Sequence, residues 1–382
     1  MITKKPKRIL QVLTIMNRGG AENMIMNYYR AIDKNEIQFD FLLHRAEKGA
    51  FEDEILSLGG NIFKFPPISA LTYNDYKKKL NHFFKEHPEY QIIHSHLDSL
   101  SFIILGVAKK YNIKTRIAHS HLAIEPFGIS KFFKKNNDFV ETVKDMSKFL
   151  LRRKVLASAT HYFACSLKAG IWLYGKKNVH NIQIINNAID TPTFIFNEAK
   201  SLKVKNELGL ANKKVIGHVG RFNDQKNHFF LIKIFNELLK NDKSMVLLLV
   251  GDGSLRPKVE IEIKKMGITE NIIFLGLRND VPEILQAMDL LLFPSLYEGL
   301  PVSLIEAQAS GLKIITSNTV SDETGITDLV HFYDLNQSEQ DWSKLVLNNL
   351  NYERKNRYKD IVDAKYDIKE NAKELQSFYF KN

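Results

Sequence analysis

Residues 289–312, DLLLFPSLYEGLPVSLIEAQASGL, constrain this chain more than any other stretch. The run from Asp289 to Phe293 is too short to span a membrane and suits a buried strand bounded by Pro294. It delivers the chain to a loop carrying Glu298, Gly299, Leu300 and Pro301. Val302, Leu304, Ile305 and Ala309 then recur at helical spacing up to a stop at Gly311. Glu298 precedes this helix, and Glu306 lies eight residues later, inside it. Two carboxylates at that separation do not share one turn, so a ligand that reaches both is elongated. The helix start at Gly299 and Leu300 offers unpaired N–H groups and a positive dipole end, which suit a phosphate. Hydroxyl groups at both ends and phosphate in the middle describe a nucleotide sugar. Elsewhere the same two carboxylates would read as a dipole-favouring residue and a solvated charge; strand, turn and stop in register favour the ligand.

The second half opens with a matching unit. Residues 215–219 read as a strand, followed by Gly220-Arg221-Phe222-Asn223-Asp224-Gln225-Lys226 and a helix over 229–239. A guanidinium and an ammonium five residues apart, at the carboxyl end of a strand, can converge on one diphosphate. Strands over 245–250 and 272–275 and helices over 256–266 and 281–288 complete an alternating α/β pattern. That combination closely resembles the retaining glycosyltransferases of family 4, whose E-x7-E and G-R-x(4)-K motifs match Glu298/Glu306 and Arg221/Lys226.

The first half alternates in the same way. A strand over 8–15 ends in Asn17-Arg18-Gly19-Gly20-Ala21-Glu22, with a helix over 24–32. Strands over 39–43, 62–65, 92–96, 116–119, 161–166 and 182–185 follow, with helices over 52–58, 73–86 and 102–111, as in a doubly wound parallel sheet. Ligands bind beyond the carboxyl ends of such strands, where His94 and His96 end one strand and His119 and His121 another. Four histidines raise a metal reading, but no Asp-x-Asp or other completing pattern accompanies them, so no metal is expected. Residues 131–154 form the most basic region, with Phe139, Val143, Met146 and Leu150 at helical spacing among the cations. Such a helix suits an anionic membrane surface.

Charge follows the same division. Residues 1–190 carry 29 Lys+Arg against 17 Asp+Glu, whereas residues 191–382 carry 25 against 26. The excess points the first half towards an anionic partner. The single Cys165 excludes a disulfide framework. Gln11 and Thr14 interrupt the N-terminal apolar stretch, which argues against a secretory leader and for a cytoplasmic protein.

The resemblance implies the GT-B fold: two Rossmann-like doubly wound domains with an inter-domain cleft. Residues 1–190 would bind the acceptor and residues 191–365 the nucleotide sugar, and a helix in 366–382 would cross back to the first domain. The segment Asn186-Asn187-Ala188-Ile189-Asp190 resembles the family's domain junction, with alanine at the usual glycine. The donor's base would lie near Leu277, its ribose on Glu306, its diphosphate on Arg221, Lys226 and the Gly299–Leu300 helix start, and its sugar on Glu298. Gly20 would approach the diphosphate. His121, with His119 as second choice, would hydrogen-bond the transferred sugar. Arg221 and Lys226 would stabilise the departing diphosphate without a metal or other cofactor.

The activity expected is retaining transfer, from a UDP-sugar in preference to other donors, to a polyprenyl-diphosphate-linked or other glycan acceptor in surface polysaccharide synthesis, at the inner membrane face. A sugar-nucleotide epimerase of the same fold is the alternative within the class. A basic nucleic-acid-binding protein is the alternative outside it, disfavoured because no aromatic-interleaved basic platform is present.

Overall fold

The computed structural model describes residues 5–69, 72–121 and 150–382. These fall into two compact units, 1–188 with 368–382, and 189–367. The division comes after Ala188, whereas the sequence pattern places it after Asp190.

The first unit is built on a seven-stranded sheet of order β3-β2-β1-β4-β5-β6-β7, with every described pairing parallel. Its strands are β1 (Lys7–Leu13), β2 (Ile37–Leu43), β3 (Ile62–Lys64), β4 (Ile92–Ser95), β5 (Thr115–Ser120), β6 (His161–Ala164) and β7 (Ile182–Ile184). Alternation along β1 sorts the core, because successive side chains face opposite sides of a sheet. Ile9 and Leu13 pack with Met24, Tyr28 and Tyr29 of the helix Gly20–Ala31, while Leu10 and Val12 pack with Tyr76, Leu80 and Ile104 on the other face. The C-terminal helix Ile368–Lys381 lays Ile368, Ala372, Leu375 and Tyr379 into the first of these clusters.

The first helix begins at Gly20, four residues before the expected start, so Gly20 is helical and not part of the preceding loop. Most of the basic 131–154 segment lies outside the described residues; within it, residues 150–154 are helical, and Leu150 is 66% exposed. No helix among the described residues is long and apolar enough to cross a membrane.

The second unit repeats the plan with six parallel strands in the order β10-β9-β8-β11-β12-β13. They are β8 (Val215–Val219), β9 (Val246–Val250), β10 (Ile272–Gly276), β11 (Leu290–Phe293), β12 (Ile314–Ser317) and β13 (Val330–Tyr333). β9 and β11 are buried throughout, as strands covered by helices on both faces must be. Arg354 lies among these elements and binds the carbonyls of Leu285, Gln286, Met288 and Ser310. Those acceptors hold the guanidinium in a site whose burial pulls its pKa down to about 10.

Candidate functional site

In the second unit, the expected donor residues gather at the carboxyl ends of adjacent strands. Gly276 and Leu277 end β10, Gly251 to Gly253 follow β9, Gly220 to Lys226 follow β8, and Pro294 to Pro301 follow β11. Backbone hydrogen bonds join these turns. Gly251 N donates to Gly276 O at 2.8 Å, Gly220 N to Val250 O at 2.9 Å, and Phe222 N to Asp252 O at 3.1 Å.

Loops after β8 and β11 are bound to each other directly. Leu296 N donates to Gln225 O at 2.8 Å, Gln225 Nε2 to Tyr297 O at 3.0 Å, and Asn227 Nδ2 to Pro294 O at 3.0 Å. Asn223 caps the single turn Asp224–Lys226, with Oδ1 accepting from Lys226 N, and Asn227 leaves that turn in the left-handed region. These bonds place the two motifs side by side: Lys226 Nζ lies 2.6 Å from Glu298 Oε1 and 4.3 Å from the Phe293 ring centroid. The pair is largely enclosed, with side chains 13% and 11% exposed. Burial lowers the Lys226 pKa, and Glu298 opposes that shift. Arg221 is exposed and makes no ion pair among the described residues.

The helix after this loop runs Val302–Ala309, with Pro301 as N-cap and no side chain capping it. Its first N–H groups therefore lie two to three residues later than the expected start at Gly299–Leu300. Space around Gly299 is open, since a Cβ there would meet nothing within 4 Å; the same holds for Gly20. Leu277 is 66% exposed, an apolar surface at the end of β10.

Glu306 lies on the second turn of the helix, and desolvation pushes its carboxyl up to about 7. Below the unfolded value of 4.5 both states hold the proton and the residue costs nothing; the cost of ionising it in the fold is complete only above about 7. If ribose hydroxyls donate to this carboxylate, binding requires its ionised form. The affinity for UDP-glucose, whose diphosphate diester does not titrate near neutrality, then rises about tenfold from pH 6 to pH 8. Calorimetry on Glu306→Gln should give a flat profile.

Two histidines not anticipated from the sequence border Lys226. His218 Nδ1 donates to Leu292 O at 2.9 Å, which leaves a buried Nε2 without a partner among the described residues. The ring of His228 stacks on Phe222 at 4.0 Å between centroids. Burial holds both rings neutral, with Lys226 adding to the effect. The sequence carried no spacing signal for either, because His218 is a strand residue and His228 the first residue of a helix.

In the first unit, His94, His96, His119 and His121 come together at the ends of β4 and β5. His94 Nε2 lies 3.0 Å from His119 Nδ1, and His96 Nδ1 lies 2.8 Å from His121 Nε2. His121 N also donates to Asp98 Oδ1 at 3.0 Å. Ligand atoms of His94, His96 and His119 fall within 4.8 Å of one another, a set that could hold a metal ion. The 3.0 Å contact between His94 and His119 nevertheless suits a shared proton. Two nitrogens on one tetrahedral metal at about 2.0–2.1 Å each would stand roughly 3.3 Å apart, with both lone pairs aimed at the ion and not at each other. Holding an ion would therefore require these rings to turn.

Two parallel sheets of this construction define the GT-B class of glycosyltransferase fold. Residues 18–192 match the family described as Glycosyltransferase Family 4, and residues 201–360 match Glycosyl transferases group 1. The chain is 36% identical to the putative glycosyltransferase EpsF of Bacillus subtilis over 321 residues, covering 83% of this chain and 80% of EpsF. It is 26% identical to the capsular polysaccharide biosynthesis glycosyltransferase CapH of Staphylococcus aureus, over 81% of each chain. HepE of Anabaena, solved with UDP and glucose, shares the fold with a TM-score of 0.75 at 16% identity, over 98% of this chain and 100% of HepE. The chain belongs to the family 4 glycosyltransferases, and its relatives include enzymes of bacterial polysaccharide synthesis.

Proposed function

We propose that this protein is a retaining, metal-independent glycosyltransferase that moves a sugar from a UDP-sugar to a glycan or polyprenyl-diphosphate-linked acceptor. The observation that carries the reading is the enclosed Lys226–Glu298 pair, which joins the loop holding the exposed Arg221 to the loop that precedes the uncapped helix start. A departing diphosphate takes over Lys226, with Arg221 and the first N–H groups of the Val302–Ala309 helix, next to Gly299 and Leu300 in the chain, supplying further positive potential. Glu298, released from the lysine, accepts hydrogen bonds from sugar hydroxyls. Glu306 receives the ribose, and Leu277 covers one face of the base. From the first unit, we assign Gly20 to the diphosphate and His121 to a hydrogen bond with the transferred sugar. Three positive elements at the leaving group do the work that a divalent cation would otherwise supply.

The first unit is the acceptor domain, and its excess of Lys and Arg favours an acceptor or a membrane surface carrying negative charge. UDP is favoured over other nucleotides because the HepE structure, of the same fold, holds it. The test is transfer from a panel of UDP-α-sugars to an undecaprenyl-diphosphate-linked N-acetylhexosamine in excess EDTA, with the new anomeric linkage read by proton NMR. An α linkage formed undiminished in EDTA is expected. A β linkage would overturn the retaining assignment, and activity restored only by magnesium or manganese would overturn metal independence.

A further inference from the structure

The four histidines form two hydrogen-bonded pairs lying one on the other. His94 and His119 are nearly coplanar, at 9° between ring planes, and meet edge to edge. His96 and His121 meet through their own hydrogen bond. His94 then stacks on His96, and His119 on His121, each with ring centroids 4.3 Å apart. Two further side chains join the pairs into one open chain, at one end of which His119 Nε2 is buried without a partner among the described residues. Tyr379, from the C-terminal helix, places its hydroxyl 2.7 Å from His94 Nδ1. Gln11, on β1, places Oε1 2.9 Å from His96 Nε2 and Nε2 3.4 Å from the Tyr379 hydroxyl. Gln11 is 1% exposed and Tyr379 is fully buried.

Burial and mutual repulsion keep His94, His96 and His119 neutral, and burial alone does so for His121, so each ring carries one proton. In a hydrogen-bonded chain of neutral imidazoles, one proton position decides the next. The chain starts at the phenol, which is far more acidic than an imidazole N–H and so donates to His94 Nδ1. His94 is then protonated at Nε2 and donates to His119 Nδ1. The remaining lone pair of Tyr379 accepts from Gln11 Nε2–H, which turns Gln11 Oε1 towards His96. His96 Nε2–H donates to that oxygen, its Nδ1 accepts from His121 Nε2–H, and the proton on His121 is settled.

We infer that Gln11 is a positioning residue that, with Tyr379 and His96, holds His121 as the Nε2–H tautomer, so that His121 Nδ1 is a hydrogen-bond acceptor for a hydroxyl of the transferred sugar. The role given to Nδ1 rests on the proposed place of His121 in the reaction; the proton order rests only on the array. An acceptor at this atom favours a sugar that presents a hydroxyl to it over one that presents a deoxy carbon there. No hydrogen bond of Nδ1 is found among the described residues. Nothing in the ordering needs a cation, a metal or an external base.

The test uses the full chain labelled with 15N-histidine and two-bond proton–nitrogen NMR near neutral pH, with His121 assigned by its loss in His121→Asn. The expected spectrum shows a protonated Nε2 and a bare Nδ1 on His121. Gln11→Met, which keeps the length and removes both polar atoms, should give His121 averaged tautomer shifts. It should also slow transfer about tenfold with little change in donor KM. Tyr379→Phe frees the Gln11 amide to turn and should blur the same signals, which keeps the test available if Gln11→Met does not fold. An Nδ1–H tautomer in the wild type, or a His121 spectrum unchanged in both variants, would overturn the proposal. A spectrum as expected, with wild-type transfer by His121→Ala, would instead overturn the place given to His121 in the reaction and leave the proton order standing.

Discussion

Lys226→Met is expected to lower transfer by about 10²–10³-fold, the scale on which enzymes lose rate when one preorganised group facing developing negative charge is removed. The methionine keeps most of the aliphatic stem and its contact with Phe293, so the loss isolates the ammonium. In the empty site the same substitution also leaves Glu298 enclosed without its cation. Because both side chains are nearly buried, this should lower stability by about 3 kcal/mol. Glu298→Leu should likewise leave Lys226 unpaired. The double variant Lys226→Met/Glu298→Leu removes both charges together and should be more stable than either single variant, although it remains inactive. Chemical denaturation of the four proteins reads the coupling, and single-turnover transfer reads the catalytic loss. A Lys226→Met protein within threefold of wild-type transfer would remove Lys226 from the leaving-group site.

Gly251→Ala is expected to disrupt both the second unit and its site. Gly251 has φ +131°, a conformation that residues with a Cβ rarely adopt, and a Cβ there would lie 2.1 Å from the carbonyl oxygen of Gly220. That contact is with backbone, so no side chain can swing aside to relieve it. Strain and overpacking together should cost about 3 kcal/mol or more, a fall in melting temperature of roughly 10 °C for a unit of this size. Since the displaced carbonyl belongs to the residue before Arg221, transfer should fall even where the protein remains folded. Gly209→Ala is the control. Its φ of +68° is also left-handed, but nothing lies within 4 Å of the added Cβ, so only the local conformational cost of about 1 kcal/mol applies. Equal melting temperatures for the two variants would show that the close approach of Gly251 to Gly220 does not exist in solution.

Strands buried on both faces could be read directly, because VLLLV at β9 and LLLF at β11 are apolar without interruption. β12 and β13 were not legible. IITS is four residues with two hydroxyls, directly after a helix stop, and VHFY carries a histidine and is only partly buried. Their strand character comes from pairing with β11 and with each other, which no local pattern announces. Glu298, Glu306, Arg221 and Lys226 could be named from spacing, but the ion pair joining Lys226 to Glu298 crosses 72 positions of sequence and follows from adjacent strand ends. Arg354 gave no sign of burial, since its acceptors are carbonyls, which every residue carries. Histidines 94, 96, 119 and 121 stood out as residue types. Which nitrogens meet depends on ring rotation and on Gln11 and Tyr379, one of them at the far end of the chain.

A nucleotide-sugar site at the strand ends of the second unit should reveal itself in thermal unfolding with UDP, GDP, ADP and their glucose conjugates. The wild type, Arg221→Ala and Lys226→Met would be compared, each with and without EDTA. A ligand present at one hundred times its dissociation constant stabilises the folded protein by about 2.7 kcal/mol. The expected result is an upward shift with UDP and UDP-glucose that EDTA leaves unchanged and that is greatly reduced in both variants. No shift with any nucleotide, or a full shift retained in both variants, would contradict it.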